Sequence, residues 1–174
     1  SKKVVLPLVL ILGSSMAAQS SEVPEYLKRN STPVLYRDGG VKAREIVPPI
    51  PDFAAKALAL GHINVIADAD GTVRSEPLLI YYEGRAYPSF GLQLTLKYLN
   101  YDIHDVSMSR GLELGNNSIP TADKSKLLIS FSKTFPYYSF YDVISNKVSP
   151  EAFKNKIVII AQSAIGLGAV HVTP

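Results

Sequence analysis

The sequence predicts an α/β domain, with a central, mostly parallel sheet flanked by helices and a hairpin at one edge. Three observations lead there. Continuous apolar runs at 4–12, 77–82 and 156–161 have the length and composition of buried strands. Segments of helical length fall between them, at 53–60, 90–99 and 139–145. Turn-forming clusters of Pro, Gly, Asp and Asn separate the two kinds of segment.

Taken in order, the run at 4–18 is the longest apolar stretch, but Pro7, Gly13, Ser14 and Ser15 interrupt it. A spanning helix needs about 20 apolar residues, so this is not one. Val4, Val5, Val9 and Ile11 favour a buried strand. Lys2-Lys3, the apolar core and Ser15-Met-Ala-Ala18 also fit a leftover secretory signal, which is the alternative. The stretch 19–42 is polar and broken by Pro24, Pro33 and Gly39-Gly40, with at most a helical turn at 26–29. Pro48-Pro49-Ile50-Pro51 is held extended, because each proline fixes its own φ and restricts the residue before it. Asp52 then opens the 53–60 helix, and Gly61 is its expected left-handed stop.

A strand is expected at 62–67, closed by the turn Asp68-Ala-Asp-Gly71, and 72–74 resumes an extended course. The 77–82 strand turns at Glu83-Gly84 into Arg85-Ala-Tyr87, so 78–87 reads as a hairpin or a strand with a turn. Pro88-Ser89 opens the longest helix, 90–99, whose apolar residues wrap most of its circumference and call for burial on two sides. Residues 100–126 form a polar excursion with a weak strand at 103–108. A strand follows at 127–131 and a short helix at 139–145. Ser149-Pro150 is a cap with proline at the first helical position. Lys156-Ile-Val-Ile-Ile-Ala161 reads as the sheet's most buried strand.

The chain has 174 residues, of which 47% are hydrophobic and 19% charged, so one folded domain, or at most one with an appended piece, is expected and not a disordered tail. Eighteen basic and 15 acidic residues are interspersed, with no basic stripe for nucleic acid. The absence of cysteine excludes disulfides, cysteine-ligated zinc, iron–sulfur clusters and thiol nucleophiles.

No catalytic set emerges. Asp68-Ala-Asp70-Gly71 suggests calcium, but an EF-hand loop aligned on Gly71 places Ile66 and Pro77 where acids are required. A tight turn explains the same letters. Gly166-Leu-Gly168 lacks the following helix and acid of a dinucleotide site. Ser163 lies between Ala161 and Ile165, where a nucleophile elbow has glycines. His62, His104 and His171 lack ligand spacing and are expected to be hydrogen-bonded or on the surface. Asn30-Ser-Thr32 and Asn116-Asn-Ser118 match the glycosylation pattern, a common one by chance.

Gly61-His-Ile-Asn-Val-Ile-Ala-Asp-Ala-Asp-Gly-Thr-Val-Arg74 resembles the G-x-x-N-x-x-x-D-x-D-G-x-x-R block of the type two CHASE domain, an extracytoplasmic sensory domain of bacterial cyclases and kinases. The same order continues with Leu78-Leu-Ile-Tyr-Tyr-Glu-Gly, Tyr87-Pro-Ser-Phe-Gly-Leu-Gln-Leu94, Leu128-Ile-Ser-Phe131, Ser139-Phe-Tyr-Asp-Val143 and Phe153-Lys-Asn-Lys-Ile-Val-Ile-Ile160. Ala161 and Ala169 depart from the family's glycine and acid.

The resemblance implies that residues 1–174 are a single sensor domain, the C-terminal portion of such a domain. It further implies a non-catalytic role outside the bacterial membrane, in a receptor whose output is an adenylate or guanylate cyclase or a histidine or serine/threonine kinase. The expected partners are a small-molecule or protein stimulus, flanking transmembrane helices, a cytoplasmic output domain and a second copy in a homodimer. No nucleic acid, cofactor or metal is expected. In open α/β sheets ligands sit beyond the carboxyl ends of strands, which directs attention to Asn64, Asp68, Asp70 and Arg74. The plainer reading of the last two is an ion pair that pins the turn. A secreted α/β solute-binding or hydrolase-like domain is the alternative.

Overall fold

A computed structural model describes residues 3–13, 22–34, 40–108, 111–122, 125–131, 134–162 and 171–174. Its first sheet is built round β1 (Val5–Leu12), which pairs antiparallel with β3 (Ala43–Val47) and parallel with β4 (Ala59–His62). A second sheet joins β2 (Thr32–Pro33) to the hairpin β6 (Leu79–Tyr82) and β7 (Arg85–Pro88). Glu83 and Gly84 both have positive φ, the left-handed pair a two-residue hairpin requires.

The two sheets meet at both ends. Lys42 bridges Tyr81 on one side, and His62 bridges Ser89 on the other. Strands β3, β1, β4, β7 and β6 therefore curl round one core, with Leu8, Leu10, Leu60, Ile80 and Tyr87 inside. A second core lies under α3 (Phe90–Tyr98), where Leu92 and Leu96 meet Leu78, Leu79 and Ile103. Strands β8 (Val106–Met108), β9 (Leu112–Leu114) and β10 (Asn117–Ile119) form a meander beside it. Strand β11 (Lys126–Leu128) pairs antiparallel with β5 (Ser75–Pro77).

This architecture overturns the expected helix-flanked parallel sheet. The described residues hold eleven short strands in four small sheets, with β1 and β4 the one parallel pair of named strands. The helices α1 (Glu25–Lys28), α2 (Pro51–Lys56), α3 and α4 (Phe140–Ile144) are short. The 53–60 helix fails because Ala57 turns extended and the next residues pair with β1, where the Leu58 amide bonds the Val4 carbonyl at 2.7 Å. Pairing thus overrides the helical propensity of an alanine-rich run.

Gly61 is correspondingly a β4 residue and no helix stop. A Cβ there would lie 2.6 Å from the Phe90 Cα, so its bare backbone lets the start of α3 close on the strand. Residues 156–161 depart most from expectation. They form no strand, and Ile159 and Ile160 are 65% and 78% exposed, whereas the sheet centre was expected there.

The strand at 4–12, the 77–87 hairpin and the helix opened by Ser89 appear as expected, within a residue or two. Ser89 Oγ accepts the Leu92 amide hydrogen at 3.1 Å. Only the first two turns of that helix are buried; Tyr98 and Leu99 face solvent.

Candidate functional site

Two features lie on the chain just after β4. The first is the turn. Gly71 adopts a positive φ with open space about it, and its amide bonds the Asp68 carbonyl at 2.9 Å. Asp70 Oδ1 accepts the Thr72 amide hydrogen at 3.0 Å, an Asx-type contact. Arg74 then closes the turn. Its Nη1 donates to Asp68 Oδ2 at 2.9 Å and Asp70 Oδ1 at 3.0 Å, and its Nη2 donates to Asp70 Oδ2 at 2.7 Å. Hydrogen bonds from Arg74, then from the Thr72 backbone, hold the Asp70 carboxyl far below its ordinary range, and the same bonds raise the guanidinium.

Asn64 is held elsewhere. Its Oδ1 accepts the Leu10 amide hydrogen at 2.9 Å, and its Nδ2 donates to the Leu10 carbonyl at 2.6 Å. The side-chain amide thus continues the ladder where β4 stops, and it fixes the direction in which the chain leaves the strand. Of the four residues singled out by sequence, the structure gathers Asp68, Asp70 and Arg74 and sets Asn64 apart.

The second feature is a cleft of about 230 Å³ between the end of β4, β5 and the start of α3. Asn64 lines it; the three turn residues do not. Ile63, Val65, Phe90 and Ile129 supply apolar walls, while His62 and Glu76 supply polar groups. His62 is 1% exposed, and neither ring nitrogen has a hydrogen-bond partner of regular geometry. Burial pushes its pKa down to about 4, against a weaker opposite pull from the Pro77 backbone, so the ring is neutral at neutral pH. The expectation of a hydrogen-bonded or surface histidine fails here, although His104 and His171 are exposed.

Glu76 is half-buried and makes no ion pair or side-chain hydrogen bond among the described residues. Sequence reasoning missed His62 and Glu76 as cleft residues. The available signal was the close approach that Gly61 permits, which brings α3 against the strand end.

The described residues contain no cluster of three metal-ligating side chains and no helix long and apolar enough to cross a membrane. Ser163, Gly166, Gly168 and Ala169 lie outside the described residues. The order of strand, cleft and pinned turn at 59–76 sits inside a family match: the CHASE2 domain model matches residues 8–174. The chain belongs to the CHASE2 domain family. CHASE2 domains are extracellular sensory units of signalling proteins and are non-catalytic as a family. No curated protein and no solved structure matches the chain. Within this CHASE2 domain the arrangement is suited to recognition: a small, largely apolar cleft with the polar groups of His62, Asn64 and Glu76 on its walls.

Proposed function

We propose that the chain receives a stimulus outside a bacterial membrane, as part of a receptor with flanking transmembrane helices and a cyclase or kinase output, working as a homodimer. The observation that carries this reading is the family match over 8–174. The cleft supports a small molecule as the stimulus. Asn64 contributes its edge, and Asp68, Asp70 and Arg74 act by fixing Thr72 and with it the wall residue Val73, with direct ligand contact requiring their ion pair to open.

The mechanism is a two-state shift. A ligand that fits one conformation of the cleft better moves the population toward it, and a tenfold shift takes a differential affinity of about 1.4 kcal/mol. The Val73 amide bonds the Val172 carbonyl at 2.8 Å, so displacement of this wall is passed directly to the 171–174 stretch.

The test uses the intact receptor in membranes. Small metabolites that raise the melting temperature of the 174-residue chain are added, and cyclase or kinase output is read. Stabilising compounds are expected to change output, and Ile63→Trp, which fills the cleft, is expected to abolish the response. A gene without membrane-spanning segments, or compounds that stabilise the chain while leaving output untouched, overturns the reading.

A further inference from the structure

The cleft's charge pattern narrows the ligand. Among the described residues no lysine or arginine lines it, and its imidazole is neutral, so an anionic ligand finds no counter-charge there. Arg74, the nearest guanidinium in sequence, is taken up by Asp68 and Asp70. Among the described residues the half-buried, unpaired Glu76 carboxylate is the one formal charge on the walls.

The start of α3 lies beside that carboxylate. A Cβ at Gly91, in the first turn of α3, would lie 3.2 Å from both Glu76 oxygens. Gly91 does not adopt a positive φ, so a larger residue there would meet the Glu76 carboxylate and not a backbone constraint, and the carboxylate would have to shift by a few tenths of an ångström. A group that remains half-buried and unpaired is stabilised by whatever brings it an opposite charge and a donor.

We propose that the cleft binds a compact cationic amine with an apolar body, its ammonium donating to Glu76 and its hydrocarbon part lying against Ile63, Val65, Phe90 and Ile129. The volume of about 230 Å³ falls below the usual range for drug-sized ligands, which begins at about 300 Å³, so the ligand is of amino-acid size or smaller. This deepens the receptor reading and rests on the cleft being the stimulus site.

The test compares three probes of one shape: isopentylamine, isopentanol and 3-methylbutanoate. Each is titrated into the 174-residue chain while the amide resonances of Ile63, Val65 and Gly91 are followed. The amine is expected to bind about tenfold or more tightly than the alcohol, and the carboxylate weakest. Glu76→Gln is expected to erase the amine's advantage and leave alcohol binding as it was. Gly91→Ala, which favours the helix but crowds the carboxylate, is expected to weaken the amine without lowering the melting temperature.

Equal binding of amine and alcohol, a retained preference in Glu76→Gln, or strongest binding by the carboxylate overturns the inference. So does silence of the cleft resonances toward all three probes. The receptor reading stands or falls separately, because it is decided by output in the intact protein.

Discussion

Residues 4–12 and 156–161 are built alike, as short aliphatic runs beside lysine, yet the molecule treats them in opposite ways. In β1, Leu8 and Leu10 are buried, with partners on both edges: β3 antiparallel, β4 parallel, and the Asn64 amide where β4 ends. At 157–160 four aliphatic residues stand exposed. Their neighbours make local contacts, such as Tyr138 against Phe153 at 5.4 Å and Lys147 over the Tyr141 ring at 5.0 Å. Hydrophobic content thus gives a run the capacity to be buried, and backbone pairing decides whether it is.

The sharpest way to break this comparison is to truncate one residue in each run. Leu10→Ala is expected to cost about 2–5 kcal/mol in denaturant unfolding, whereas Ile159→Ala changes stability by less than about 0.5 kcal/mol. Equal costs would show that the second run is packed after all.

Next in size is the pH response of the packed region. The His62 pKa is about 4 when folded and about 6.5 when unfolded, so the unfolded chain takes up the proton first as pH falls. Its stabilising contribution is complete above pH 6.5 and is lost between 6.5 and 4, up to about 3 kcal/mol. Unfolding curves across that window should flatten in His62→Leu; an unchanged slope would assign the pH response to other groups.

The smallest effects separate the two halves of the site predicted from sequence. Asn64→Ala leaves the Leu10 amide and carbonyl unpaired and is expected to cost about 1–3 kcal/mol. Asp70→Asn, at an exposed ion pair, is expected to shift the melting temperature less, and the shift should shrink further in added salt. Reversal of that order would make the turn, and not the ladder extension, the anchor of this region.

Local signals were legible before the structure. The hairpin needed only Glu83-Gly84 between two strands, the 90–98 helix needed only its Ser89 cap, and the 68–74 turn was written in its acids and glycine. What could not be read was set by distant partners. Nothing in Ala57-Leu-Ala-Leu60 says that β1 will claim it as a strand, and nothing in 156–161 says that no strand will form. Asp68, Asp70 and Arg74 were found together because their pairing spans six residues, whereas Glu76 meets Gly91 only once α3 has folded back on β5.

Two arginines show how far that dependence on distant partners extends. Arg29 donates through Nη2 to the carbonyls of Ala54, Ala55 and Ala57 at the end of α2. Arg85 donates to the Lys28 and Ser31 carbonyls at the end of α1, across 57 and 54 positions of chain. Helices of four and six residues are too short to persist alone in water, so each is completed by a guanidinium that arrives from elsewhere. Assembly of this corner therefore depends on closing loops of 25 to 57 residues, so neither short helix is complete until the chain that supplies its guanidinium has docked.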